Sequence, residues 1–427
     1  MKNLFTTFLI LCTSLVSAQW SQQNSNVTTE LTSVYAVDKN TAWVCGFGST
    51  ILRTKNQGTN WQKVDGNGLN GIPLNVSLES IAGIDSSTAI VSGVQSTNTW
   101  VWKTSNGGAN WIEVFHQSNG FVNGVCMLNQ TTGILVGDPA GGRWTLFKTT
   151  NAGSTWDSAG MYLASGGASE GGYNNSFFSV SPYVWFGTNN SRIYYSTNSG
   201  VNWSVQSISP EVNSYSIWVS QELYGLSGGA ANLMETSNNG LNWASMSAAG
   251  TGNICGITTL NIPVDFPSVF MWYVRIGSSS IYSSFNGGAN WMTEYTNPTG
   301  TYRHMSNAVL GWGIWAVGTN GSISFHQPIT NITPIGSVTP EKYSLSQNYP
   351  NPFNPSTVVR FSLPVVSQVS LKVYDMMGRE VETLVNERLQ VGTYETVWNA
   401  STYSSGVYLY KLTAGNYTET KRMTLVK

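Results

Sequence analysis

TSNGGANW, residues 104–111, is one of six copies of a single eight-residue box. The others are TKNQGTNW at 54–61, TTNAGSTW at 149–156, STNSGVNW at 196–203, TSNNGLNW at 236–243 and SFNGGANW at 284–291. Each is Ser/Thr, any residue, Asn, any residue, Gly, two more and Trp. The chemistry is that of a tight turn. Asn56, Asn106, Asn151, Asn198, Asn238 and Asn286 carry a side-chain oxygen expected to accept from backbone N–H groups two residues on. Gly58, Gly108, Gly153, Gly200, Gly240 and Gly288 follow two positions later, where positive φ costs no Cβ clash. Trp61, Trp111, Trp156, Trp203, Trp243 and Trp291 then open the returning strand and bury a large ring. These residues form a structural turn motif, with no catalytic role expected of them.

Upstream of each box lie two apolar stretches joined by a Gly-rich link, as in AWVCGFGSTILRT at 42–54, and before them a further strand such as LTSVYAVD at 31–38. Each unit is therefore predicted to be four antiparallel strands. The units recur about every 45 residues from Leu31 to Tyr302, the period of a propeller blade. A seventh unit, residues 302–328, holds three strands and no box. Its missing strand is expected at Trp20-Ser21-Gln22-Gln23, which resembles NWSVQ at 202–206; pairing there closes the ring and removes an open edge. The fold class is all-β: a seven-bladed β-propeller over residues 19–330 followed by a small Ig-like β-sandwich.

Composition agrees. The 427 residues are 41% hydrophobic, 12% aromatic and only 10% charged, with 44 Gly and 17 Trp, which argues against disorder and against a helical bundle. A net charge of -1 offers no basic excess to neutralise phosphates, so no nucleic acid partner is expected. Residues 1–18, MKNLFTTFLILCTSLVSA, read as a secretory signal peptide, and no transmembrane segment is expected in the mature chain. Cys45, Cys126 and Cys255 sit singly amid apolar residues and read as buried free thiols. His116, His304 and His326 lack ligand spacing, so neither a metal nor any cofactor is expected.

The boxes resemble the Asp-box, or BNR, repeats of sialidase-type propellers, and the seven-unit pattern is similar to the photosystem II stability and assembly factor-like family. All six copies carry Asn where that resemblance implies Asp, which keeps the acceptor and drops the charge.

Residues 331–342 are Pro/Thr-rich and read as a linker. Beyond it, residues 343–427 hold alternating segments such as STVVRFSLP and GVYLYKLTAG, the pattern of a compact antiparallel sandwich. The run Asn348-Tyr349-Pro350-Asn351-Pro352-Phe353-Asn354-Pro355, then VYDMMGR at 373–379 and a terminal stretch beginning at Lys421, resembles the C-terminal sorting domain of the type IX secretion system, type A. The resemblance implies an outer-membrane secretion translocon as partner and a secreted or surface-attached destination.

Catalytic patterns are weak. GLSGG at 225–229 and GASEG at 167–171 fit a nucleophile elbow, but that motif needs a strand-to-helix turn and no helix is predicted. Sialidase chemistry would need converging arginines, from among Arg53, Arg143, Arg192, Arg275 and Arg303; glycoside hydrolysis would need a carboxylate pair, from among Glu79, Asp138, Glu170 and Glu211. The reading of function is an exported, non-catalytic binding or scaffold propeller whose inter-blade loops, residues 65–75 and 161–175, receive a glycan or protein ligand. The alternative is a sialidase-like or other glycoside hydrolase acting on extracellular glycans.

Overall fold

The computed structural model describes residues 20–38, 40–66, 71–219, 224–260, 270–284, 287–307, 313–326, 332–334, 340–365, 367–389, 391–400 and 403–426. The signal sequence expected over residues 1–18 and the box residue Asn286 lie outside them.

In the propeller, short strands rich in β-branched and aromatic residues pair with their chain neighbours into separate sheets, because each run ends at a turn after two to nine residues. Blade 2 shows the pattern: Ser77–Gly83, Ala89–Gln95, Asn98–Thr104 and Ile112–Gln117 pair successively, all antiparallel. Blades 1, 4, 5 and 6 repeat it, starting at Leu31, Gly172, Ser216 and Ile254. In blade 7 the strands Tyr302–Asn307, Ile314–Gly318 and Ile323–His326 are completed by Trp20–Gln23. The register is Trp20 against His326 through Gln23 against Ile323, so the expected closure is present.

Blade 3 departs from the expected four strands. Val122–Met127, Gly133–Ala140 and Arg143–Thr149 form a three-stranded sheet. The outer edge is met only by bridges from Asp157 to Lys148 and from Ala164 to Arg143. The physical cause is local: the Asp157 carboxylate accepts from Ala159 N–H at 2.8 Å, an Asx turn that ends the extended run one residue after the box Trp156.

Each blade buries both faces against its neighbours, and the apolar residues divide into seven clusters, one per interface. Trp43, Trp102 and Trp111 pack between blades 1 and 2. Trp144, Phe186 and Tyr194 pack between 3 and 4. Leu31, Trp61, Trp315 and Phe325 seal blade 7 against blade 1, while Trp20 and Trp272 seal it against blade 6. Cys45, Cys126 and Cys255 are buried free thiols in these interfaces.

The C-terminal residues form a β-sandwich. One sheet runs Ile332–Pro334, Gly392–Asn399, Ser356–Leu363 and Ser344–Leu345; the other runs Glu380–Leu389, Ser367–Tyr374, Gly406–Ala414 and Tyr417–Leu425. Phe361, Leu371, Trp398, Tyr410 and Met423 fill the space between them. The stretch read as a linker thus contributes a strand: Ile332–Pro334 pairs with residues 394–396. Among the described residues no helix is long and apolar enough to cross a membrane.

Candidate functional site

In an antiparallel blade the boxes lie on one face of the ring, while the hairpins between second and third strands and the inter-blade loops lie on the other. The boxes are built alike. In the first, Thr54 Oγ1 accepts from Gly58 N–H at 2.8 Å and donates to Asn56 Oδ1 at 3.0 Å, and that oxygen accepts from Asn60 N–H at 3.0 Å. The same triplet recurs at Thr104, Asn106 and Gly108, at Thr149, Asn151 and Gly153, at Ser196, Asn198 and Gly200, and at Thr236, Asn238 and Gly240. Ser284 likewise accepts from Gly288 N–H. The Asn oxygen therefore accepts from the residue four positions on, and the N–H two positions on belongs to the hydroxyl; the expected bond is corrected accordingly. Gly58 has φ +78°, and a Cβ there would meet the Gln23 side chain at 1.8 Å, so each box glycine also seats its turn on the preceding blade. Trp61, Trp111 and Trp243 are buried, while Trp156, Trp203 and Trp291 are half-buried.

The sequence candidates other than Arg53 are brought to the loop face but dispersed among separate bonds. Glu170 is buried and accepts from Tyr194 O–H at 3.0 Å, Gly166 N–H at 2.5 Å and Trp144 Nε1–H at 3.3 Å, with Arg192 Nε 3.4 Å away. Arg303 pairs with Glu30 at 2.7 Å. Arg275 is fully buried and donates only to backbone carbonyls, among them Ala249 at 2.7 Å and Ala231 at 2.8 Å, so it pins two loops together. Arg53 lies instead on the box face, beside the first box, where it donates to Ser86 O at 2.8 Å and lies over the Trp43 ring. Arg143 is exposed at a hairpin. Glu211 Oε1 accepts from Asn232 N–H at 3.3 Å.

Asp138 accepts from Gly172 N–H at 2.8 Å, and burial raises its carboxyl above the usual range. Beside it, a recess lined by Asn123, Tyr173 and Phe177 has a volume of about 10 Å³, enough for one water. A wider, open polar recess of about 350 Å³ lies at the closure seam, lined by Gln22, Gln23, Asn24, Gln57 and Thr59.

The ring axis is bridged. Asn175, held at φ +61°, donates to Glu79 O at 3.1 Å and accepts from Ser33 O–H at 3.0 Å, linking blade 4 to blades 2 and 1. Asn174 Nδ2 donates to Glu79 Oε2 at 2.6 Å. Burial, with the Glu30 charge nearby, pushes the Glu79 carboxyl up to about 7. His304 accepts from Val34 N–H at 3.2 Å, and burial holds it near 4, neutral at ordinary pH. His326 sits between the Trp20 and Trp272 rings and is lowered to about 4 by burial. His116 is exposed and stacks on Trp100. The three histidines are thus spread over separate sites, and no group of three potential metal ligands occurs among the described residues.

In the sandwich the Asn/Pro run clasps the final strand. Asn351 Oδ1 accepts from Thr424 N–H at 2.9 Å, Phe353 N–H donates to Thr424 O at 3.0 Å, and Val426 N–H returns to Phe353 O at 3.0 Å. Asn348 is buried, donating to Thr357 Oγ1 at 2.9 Å. Pro350, Pro352 and Pro355 bring no N–H to satisfy, which suits a run that crosses outside the ladders. Lys421 pairs with Glu419 at 3.1 Å.

An all-β ring of seven blades followed by a C-terminal sandwich defines a propeller protein with a tail domain. Residues 347–426 match the family described as the secretion system C-terminal sorting domain, the type IX address, so the chain is secreted or held at the cell surface. No curated protein matches by sequence. Among solved structures, YCF48 from Cyanidioschyzon merolae is 16% identical with a TM-score of 0.55, covering 72% of this chain and 99% of that one. YCF48 bound to D1 peptide is 13% identical with a TM-score of 0.54, covering 73% and 97%. The GH74 enzyme of Niastella koreensis is 13% identical with a TM-score of 0.49, covering 96% and 75%. At these identities the likeness is one of fold alone.

Proposed function

We propose that the propeller is a non-catalytic binding or scaffold module that works outside the cell. A signal peptide over residues 1–18 delivers it to the periplasm, and the type IX tail carries it across the outer membrane. Its loop face receives a protein or glycan. The observation that supports this most is the use of charge on that face: Arg192 with Glu170, Arg303 with Glu30, and Arg275 on carbonyls hold loops in place and do not converge on a substrate position. A propeller of the same fold, YCF48, is known with a D1 peptide bound, which illustrates such a ring as a peptide receptor. The test is retention of surface glycans or proteins on the immobilised chain, compared with a variant in which residues 65–75 and 161–169, short of the blade 4 strand that begins at Gly172, are replaced by short Gly/Ser links. Equal retention by both would refute the reading.

One observation favours the glycoside hydrolase alternative. Glu79, with its carboxyl near 7 at the axis, has the protonation range of a general acid. Hydrolysis of sialosides or glucans by the purified chain, lost in Glu79→Gln or Asp138→Asn, would establish that alternative in place of the binding role.

A further inference from the structure

An address has to be read through atoms that a receptor can reach. Within the sorting run two residues fail that condition and a third is already committed. Asn348 and Phe353 are buried, and the Asn351 side chain is engaged with the last strand. Those residues fold the domain; the exposed remainder of the run, Tyr349 and its prolines, is joined on the surface by a second feature.

One feature of the sandwich is both exposed and built. Between Ser367–Tyr374 and Glu380–Leu389 the chain turns at residues 375–379, Asp-Met-Met-Gly-Arg. Asp375 Oδ1 accepts from Met377 N–H at 2.9 Å and Arg379 N–H at 3.0 Å, and its Oδ2 pairs with Arg379 Nε at 2.8 Å. Backbone bonds from Gly378 N–H to Asp375 O and from Asp375 N–H to Arg379 O, each 3.0 Å, close the turn. Gly378 supplies the required φ of +78°. The carboxylate thus fixes the tip, and the tip turns two adjacent thioether side chains to solvent: Met376 is 65% exposed and Met377 81%. Turns of this kind ordinarily carry Asn, Asp, Ser or Gly. A rigid hairpin holding two apolar, unbranched and adaptable side chains in water is the arrangement of a docking point.

We propose that the tip at residues 375–379 is where the export machinery grips this chain, with Met376 and Met377 entering an apolar slot on a translocon component. The inference rests on the export reading given above and names its contact. Arg379, three-quarters exposed beside the pair, places a positive rim at the slot.

The test uses the full chain in a type IX-competent host, measuring by immunoblot the fraction outside the cell and in the periplasm. Three variants are compared: M376S/M377S, M376L/M377L and a deletion of residues 343–427. The serine pair is expected to lower the external fraction at least tenfold and accumulate in the periplasm, while the leucine pair exports at close to the normal level. The purified serine variant is expected to unfold at the normal temperature, since both side chains already lie in water. Normal export of the serine pair overturns the proposal. So does an export loss matched by a fall in melting temperature, which would mark a structural role. Loss of a dimer on size exclusion with export intact would assign the tip to a second copy of the chain and overturn it equally. If the deletion variant is itself exported, the export reading fails; if only the deletion is retained inside, this contact alone fails.

Discussion

Gln23 and Trp61 are joined across the seam of the ring. The Trp61 indole N–H donates to Gln23 Oε1 at 3.0 Å, while the Gln23 amide donates to Gln57 O at 2.6 Å. Gln206, at the matching place in blade 4, donates to Asn239 O at 2.8 Å, but its Oε1 and the Trp243 indole N–H are both buried and not bonded to each other. The interface of blade 7 with blade 1, which residues 24–30 also link covalently, therefore has a hydrogen bond that the interface of blades 4 and 5 lacks. Gln23→Ala is expected to cost about 2 kcal/mol, since it removes two bonds and strands a buried indole N–H, whereas Gln206→Ala should cost about 1 kcal/mol. Denaturant midpoints decide it; equal losses would mean that the seam has no extra hold.

The boxes make a second prediction. The Ser/Thr oxygen takes the glycine N–H in every box, and Ser196 and Ser284 do this without the methyl group. Thr236→Ser should therefore cost only its buried methyl, about 1 kcal/mol. Thr236→Val leaves the Gly240 N–H unpaired in a buried site and should cost about 1–2 kcal/mol more. Thermal unfolding of the two variants would show the valine clearly below the serine; the reverse order would remove the hydroxyl from its role.

The ring was legible because its punctuation is local: Asn, Gly and Trp at fixed spacing mark a turn wherever they occur, and WSQQ at 20–23 mirrors WSVQ at 203–206. What stayed hidden depends on partners far away or on a single residue. Asp157 cuts short one strand by capping a turn, which a periodic reading passes over. Ile332–Pro334 is too brief to alternate and becomes a strand only by pairing with residues 394–396. The bond of Asn175 to Ser33 joins residues 142 apart in the chain, and nothing near either residue announces it. The charged residues could be named from sequence, but their pairing, Arg303 with Glu30 above all, is a product of closure.

Glu79 gives a pH signature. Its carboxyl is raised from an ordinary 4.5 to about 7, so between those values the fold holds a proton that the unfolded chain has released, and stability falls as pH rises through that window. Glu79→Gln removes this penalty. The variant should be more stable than the parent by roughly 1–2 kcal/mol at pH 8, allowing for partial exposure, and indistinguishable at pH 4. His304 and His326, lowered to about 4, act oppositely in both proteins, costing stability as pH falls from 6.5 towards 4. A gain from Glu79→Gln that persists undiminished at pH 4 would show that its carboxyl is not raised.

The sorting run contains its own control. Phe353 is buried, packs 5.4 Å from the Trp398 ring and exchanges backbone bonds with the last strand, whereas Tyr349, four residues earlier, is 80% exposed. Phe353→Ala should cost about 3–4 kcal/mol, a large part of the stability of a domain this size, and should let Tyr417–Leu425 fray. Tyr349→Ser should change stability by less than about 0.5 kcal/mol. Hydrogen exchange at Thr424 and Val426 reads the difference directly, because their amide protons are the ones bonded to Asn351 and Phe353. Faster exchange there in Phe353→Ala, with Tyr349→Ser unchanged, identifies the run as a clasp that folds the domain; unchanged exchange in both would mean that the last strand is held without it.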